Sequence, residues 1–380
     1  MRAWEGLLGL ALAGTVLIQV SCGDEVPVGG GALLGAATCP DCEIVIEDRL
    51  RLGDDFSFGV MPQLALTRSG YIVGLDEFVP TGGGPLLFDA QGRVSGLVGG
   101  RGQGPGEFRF PARLAGGLPS DTLLIFDRAS GLQVVDIHGT HLRTFTRVPI
   151  PRGSAIRLND TILVVASMSR RPVTVPDQEV AAFDLRSGEP IGGLGPLTGM
   201  GPGELFIPWA TPAGDDQVWL PLEPNRVGRF RIGATEPEQE LTWDPYGLAT
   251  VHPRYRTVRA DTGGVAIRDL WEQPDENLLW VLSGARDPSV DNPWKRLVPG
   301  QPIPEELRTV EGLLSTGSHS IVSVLDMEGR SVLAHLELDR GAGLGFLPDG
   351  RLAVMDVAEG TPHATAVYLL RLRLRGWEGR

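Results

Sequence analysis

A chain of 380 residues with 47 Asp and Glu against 34 Lys and Arg carries a formal net charge of -13 at pH 7. It has no Lys/Arg run and therefore no basic surface on which nucleic acid could release counterions, so a nucleic-acid partner is excluded. Hydrophobic residues make up 42 % and charged residues 21 %, enough for a large buried core; the 52 glycines and 30 prolines fall between apolar runs and read as many turns, not as disorder.

From Leu7 to Val20 the chain is mostly apolar, with Arg2 ahead of it and Ser21-Cys22 behind. The stretch is short for a bilayer span and the right size for the core of a secretory signal. A cysteine directly after a small residue resembles a bacterial lipoprotein signal, which implies a leader over 1-21 and lipidation of Cys22. Glu5 and Gln19 depart from that pattern. Simple secretion and an uncleaved membrane anchor are the alternatives, and all three expect an extracytoplasmic domain.

Residues 22-42 lack periodicity and read as a flexible tether ending in Cys39-Pro40-Asp41-Cys42. A redox motif would need a helix N-terminus to stabilise a thiolate, yet Glu43-Ile44-Val45-Ile46 follows and looks like a strand. Half of a zinc site is a second reading. A local disulfide between Cys39 and Cys42 is the expectation adopted for an oxidising compartment.

Residues 43-380 read as one domain of repeating four-strand units with turns between the strands. The first unit takes Gln63 to Thr67, Tyr71 to Asp76, Leu86 to Asp89 and Val94 to Val98; the second Ala112 to Leu114, Leu123 to Asp127, Gln133 to Asp136 and Leu142 to Arg147. The third runs through Ala155 to Leu158, Ile162 to Ala166, Val180 to Asp184 and Pro190 to Leu194. The fourth has Trp209 to Thr211, Val218 to Glu223, Val227 to Ile232 and Gln239 to Trp243. In the fifth, Val265 to Trp271 and Leu278 to Ser283 precede an insertion over 285-319, with a short helix expected at Glu305 to Leu314, before Ile321 to Asp326 and Val332 to Leu338. The sixth offers only Leu344 to Leu347, Leu352 to Asp356 and Ala366 to Arg375. Glu43 to Leu52 has no unit of its own and is expected to supply the missing strand, its Glu47 and Asp48 facing the arginines of Leu370 to Arg375.

Two long turns, Gly102-Gln103-Gly104-Pro105-Gly106-Glu107-Phe108 and Gly199-Met200-Gly201-Pro202-Gly203-Glu204-Leu205, recur 97 residues apart, and strand ends at Asp89, Asp136 and Asp184 recur 47 and 48 apart. Fixed spacing of this kind marks a repeat architecture. The expected fold is all-β, a six-bladed β-propeller of four-stranded antiparallel blades, closed by the N-terminal strand. Leu123-Leu124-Ile125-Phe126-Asp127 followed by Gly131 to Gly139 resembles the NHL repeat of bacterial extracytoplasmic propellers. That resemblance implies a fold and leaves the activity open.

Aligning the second strands of the units places Asp76, Asp127, Ser167, Glu223, Ser283 and Asp356 at one position. In a ring these oxygens could hold a hard cation, with Asp76, Asp127, Glu223 and Asp356 as carboxylate ligands; in NHL-like repeats the matching Asp instead resembles a turn cap, the preferred reading. Arg254, Arg256, Arg268 and Trp271 belong to the one concentration of cationic and aromatic side chains in this acidic chain, suited to an anionic or glycan-like ligand. No nucleophile elbow, phosphate loop or His-Glu-x-x-His motif occurs, and no catalytic residue is assigned. The expectation is a non-enzymatic extracytoplasmic propeller that binds an envelope or extracellular protein, a peptide or a glycan, with no cofactor and with membrane contact only through a lipid anchor. The alternative is a metal-dependent, lactonase-like or lyase-like enzyme using a divalent cation on the axis.

Overall fold

A computed structural model describes residues 39-53, 58, 62-76, 84-151, 153-166, 180-194, 210-223, 226-242, 265-286, 318-328, 331-338, 342-357 and 365-377. The elements follow in chain order. Strand β1 is Glu43–Leu52. Blade 1 holds β2 (Gln63–Leu66), β3 (Ile72–Leu75), β4 (Leu86–Phe88) and β5 (Val94–Leu97), followed by a short parallel pair, β6 (Gly100–Arg101) and β7 (Glu107–Phe108). Next come β8 (Pro111–Leu114), β9 (Gly116–Gly117), β10 (Thr122–Asp127), β11 (Gly131–Asp136) and β12 (His141–Phe145), of which all but β9 form blade 2. Blade 3 is β13 (Ala155–Arg157), β14 (Ile162–Ala166), β15 (Val180–Asp184) and β16 (Pro190–Leu194); blade 4 is β17 (Thr211–Pro212), β18 (Gln217–Glu223), β19 (Arg226–Arg231) and β20 (Gln239–Thr242). Blade 5 is β21 (Val265–Gln273), β22 (Leu278–Arg286), β23 (Ser318–Asp326) and β24 (Ser331–Leu338); blade 6 is β25 (Ala342–Phe346), β26 (Leu352–Val357) and β27 (Thr365–Arg375), with β1 as its outermost strand. The chain is thus an all-β, six-bladed propeller. Among the described residues no helix is long and apolar enough to cross a membrane.

The packing explains why these strands read as continuous apolar runs. Alternate side chains of a strand point to opposite faces, and each blade has a neighbour on either side. In β22, Leu278, Trp280 and Leu282 pack toward blade 6 while Leu279 and Val281 pack toward blade 4. In β10, Leu123 and Ile125 join the core shared with blade 1, and Leu124 and Phe126 the core shared with blade 3. The described residues form six such cores, one between each pair of adjacent blades. A polar face would have had nowhere to go.

The ring closes in blade 6. Strand β1 runs antiparallel to β27 from Glu43 opposite Arg375 to Leu52 opposite Val367, with a bulge between Ile46 and Asp48. The pairing satisfies an edge that would otherwise expose unpaired backbone. Cys39 and Cys42 form a disulfide directly before β1, and both pack on the core between blades 5 and 6 beside Trp377. There Gly376, at φ +76°, lets the chain pass so close that a Cβ would lie 2.1 Å from the Asp41 carbonyl oxygen. The insertion over 285-319, with the helix expected at Glu305 to Leu314, lies almost wholly outside the described residues, as do the second Gly-Pro-Gly-Glu turn and Cys22.

Candidate functional site

The first strand of each blade is its innermost, and together these strands enclose an axial cavity of about 620 Å³. That is the size range of small-ligand pockets. In every blade but the third, this strand pairs on one side only, so its other edge turns backbone groups toward the axis. The wall between them is largely apolar, with Leu64, Leu118, Ile156, Leu344 and Phe346 contributing. Trp271 joins them, half-buried, with its ring 6.3 Å from that of Phe346 and 6.1 Å from that of Trp280.

Charged and polar groups stand at fixed points on this wall. Asp269 faces the cavity from β21 and ties three blades together. Its Oδ1 accepts from Thr211 Oγ1 of blade 4 at 2.9 Å and from the Leu270 N–H at 2.8 Å, and its Oδ2 accepts from the Phe346 N–H of blade 6 at 2.6 Å. Burial disfavours the carboxylate and pushes its pKa up to about 6, against the pull of those hydrogen bonds. Glu272 is held by Trp219 Nε1 at 2.7 Å and by Arg229 at 3.7 Å, both from blade 4. Arg113 lines the wall from blade 2, across the ring from blade 5, and donates to the Ala112 carbonyl at 3.0 Å. Between blades 1 and 2, Gln63 donates to the Ala112 carbonyl at 3.2 Å and accepts from the Leu114 N–H at 2.9 Å.

One feature breaks the pseudo-symmetry of the ring. After β8 the chain crosses to blade 3, where β9 pairs in parallel with β13, Gly116 opposite Ile156 and Gly117 opposite Arg157. Blade 3 therefore has five strands, in the order β16-β15-β14-β13-β9, and its axial edge is capped. Gly117 is required there: it sits at φ +92°, and a Cβ would come within 2.2 Å of the Arg157 carbonyl oxygen. A Cβ on Gly116 would meet nothing within 4 Å, because that side faces the open cavity.

The structure sorts the residues expected from sequence. Trp271 lines the cavity. Arg268 does not; it is the extra residue of a bulge in β21, and its guanidinium turns into the seam between blades 5 and 6 to donate to the Gly343 carbonyl at 3.3 Å. Its pKa is lowered by burial. Arg254 and Arg256 lie outside the described residues, as does Ser167.

Asp76, Asp127 and Asp356 belong to the ends of second strands, one strand removed from the axis, and none of them lines the cavity. Asp127, 1 % exposed, caps its own blade: Oδ2 accepts from the N–H groups of Arg109 and Phe110, and Oδ1 from those of Ala129 and Ser130. Ser283 is buried in blade 5, and of Glu223 only the backbone is described. Among the described residues no group of three His, Cys, Asp or Glu side chains could hold a metal ion. In the first Gly-Pro-Gly-Glu turn, Glu107 Oε2 accepts from the Gly104 N–H at 2.9 Å, an internal turn bond.

Asp269, Glu272, Arg113 and the Gly116-Gly117 pair were not singled out from sequence. Asp269 did carry a signal, since a carboxylate inside the apolar run from Val265 to Trp271 has to be partnered to be buried.

The chain matches no protein-family model and no curated protein. Among solved structures, it is similar to a member of the DUF4221 family from Bacteroides vulgatus, at 11% identity and a TM-score of 0.48, over 88% of this chain and 99% of that one. A Bacteroides fragilis protein named for presumed export is similar at 10% identity and a TM-score of 0.49, over 89% and 97%. Hydrazine synthase of Kuenenia stuttgartiensis is similar at 14% identity and a TM-score of 0.44, over 80% and 78%.

Proposed function

We propose that this chain is an extracytoplasmic binding propeller, NHL-like in its repeats and anchored through Cys22, that takes a short peptide segment into its axial cavity. The observation that carries the reading is the cavity itself: about 620 Å³, enclosed by all six inner strands. The stretches of inner-strand edge left over by β9, Gln63 and Asp269 suit the donors and acceptors of a short extended peptide. Leu64, Leu118, Ile156 and Trp271 suit apolar side chains on it better than the hydroxyl-rich surface of a glycan. Export rests on the leader-like stretch from Leu7 to Val20 and agrees with the Cys39–Cys42 disulfide.

The test is a peptide and glycan array probed with the wild type and with Gly116→Trp. A Cβ on Gly116 would meet nothing within 4 Å, so a side chain can leave the backbone there without a clash at its first atom, and an indole would take up part of the cavity. Peptides that bind the wild type and shift its tryptophan fluorescence should lose at least about tenfold in affinity with the filled variant, a change of about 1.4 kcal/mol. Peptide binding unchanged by the filling, or glycans as the only ligands retained, would overturn the reading.

A further inference from the structure

We propose that the axial cavity holds its ligand by a primary ammonium group, which pairs with Oδ2 of Asp269. The inference rests on the cavity being the ligand site, and it adds the chemistry that would orient a peptide there.

An ionised carboxyl group offers about four lone pairs, and Asp269 uses three of them. Oδ1 accepts from Thr211 Oγ1 and the Leu270 N–H, and Oδ2 accepts from the Phe346 N–H. These donors, from three blades, fix the plane of the group and leave Oδ2 one acceptor position. Gly345, another lining residue, keeps space beside that oxygen: a Cβ there would come within 2.6 Å of Oδ2, and its three nearest contacts would all be with Asp269. A ligand donor can occupy what a side chain would otherwise fill.

Charge selects the donor. Glu272, the other acid on the wall, already has Arg229 at 3.7 Å. Asp269 has no such partner among the described residues. Strands β17 and β25, which supply its hydrogen bonds from blades 4 and 6, carry no titratable side chain, and Leu282 lies opposite it in β22. On its own strand Arg268 turns away to the Gly343 carbonyl. Arg113 lines the cavity from blade 2, across the ring. A desolvated carboxylate without a counter-ion is unfavourable; a bound ammonium supplies both the charge and the missing hydrogen bond, whereas a hydroxyl supplies only the bond. A metal ion would need more ligands, and among the described residues no three His, Cys, Asp or Glu side chains converge. Trp271 on the same wall offers an aromatic face to the group that carries the ammonium.

The first probe is 2-phenylethylamine, compared with uncharged 2-phenylethanol by calorimetry. With its pKa raised by burial to about 6, Asp269 is almost fully ionised at pH 7.5 and about one-tenth ionised at pH 5, while the amine stays protonated at both. The amine should bind about tenfold more weakly at pH 5 than at pH 7.5, the alcohol equally at both, and Asp269→Asn should remove the pH dependence. If that variant does not fold, the wild-type profile decides. Peptides then identify the source of the ammonium. One held by its N-terminal amine, with a pKa of about 8, should weaken again above pH 8 and be lost on N-acetylation; one held by a lysine should tolerate both, and either result supports the site. Equal binding of amine and alcohol, or an amine affinity that does not change with pH, would overturn the ammonium site and leave the peptide reading to the Gly116→Trp comparison. Acid-sensitive amine binding in a protein that takes no peptide would uphold the site and sink that reading instead.

Discussion

Glu47 and Arg373, 326 residues apart in sequence, form an ion pair at 3.1 Å across the sheet that joins the two ends of the propeller. Arg49 lies over the Tyr368 ring, 3.7 Å from its centroid, in the same pairing. The ion pair marks the register, but exposed pairs stabilise little. Closure rests on the backbone ladder of β1 and on apolar residues such as Leu52, which is 0 % exposed. Glu47→Ala should change unfolding stability by no more than about 1 kcal/mol, and Leu52→Ala should lower it by about 2–5 kcal/mol, both read from urea denaturation.

Asp269 and His335 should give stability opposite pH slopes over one window. The folded pKa of Asp269 is raised from 3.8 to about 6, chiefly by burial. Its contribution is full below the unfolded value and is lost as pH rises through 6. His335, hydrogen-bonded through Nδ1 to Ser323 Oγ at 2.8 Å, is lowered by burial from 6.5 to about 4. Its contribution is present above 6.5 and is lost as pH falls toward 4. Stability should therefore fall more steeply with acid in Asp269→Asn than in the wild type between pH 6 and 4, and less steeply in His335→Gln. Denaturant midpoints across that range check both signs.

The adjacent glycines of β9 should respond differently to one added methyl group. Gly117→Ala places a Cβ 2.2 Å from the Arg157 carbonyl at φ +92° and should cost at least about 1 kcal/mol. Gly116→Ala meets open space and should be neutral within about 0.5 kcal/mol. Thermal melts of the two variants measure the contrast.

Asp127→Ala should leave four partly buried backbone N–H groups without their acceptor. Water can reach some of these donors once the carboxylate is gone, so the loss should be about 1–3 kcal/mol. It should be equal in chelator and in millimolar calcium. A loss seen only with calcium present would assign the residue to a cation.

Most of the architecture was legible because the inner strands of a propeller have to be apolar on both faces and end in a turn, and both signals are local. Gln63 to Thr67 and Val180 to Asp184 show this, each lying within one residue of the observed strand. The donated strand was legible too, since Glu43 to Leu52 had no partner within its own stretch. The site was less so. Trp271 stood out by residue type, but Arg268, four residues from Glu272 in the same strand, turns into a blade seam because a bulge reorients it. Asp269 joins partners 58 and 77 residues away in sequence, and no local pattern announces such a contact. The capping of blade 3 by Gly116 and Gly117 is hidden for the same reason, being a pairing between blades.

The tight passage of Asp41 against Gly376 brings the head and tail of the folded domain to one spot on the outer rim. A few linking residues between Trp377 and Cys39 would span that junction. The circle could then be cut at the hairpin tip between Asp136 and His141, giving a permuted protein whose new ends flank blade 2. Cargo fused there would ride on the side of the wheel, clear of the hub.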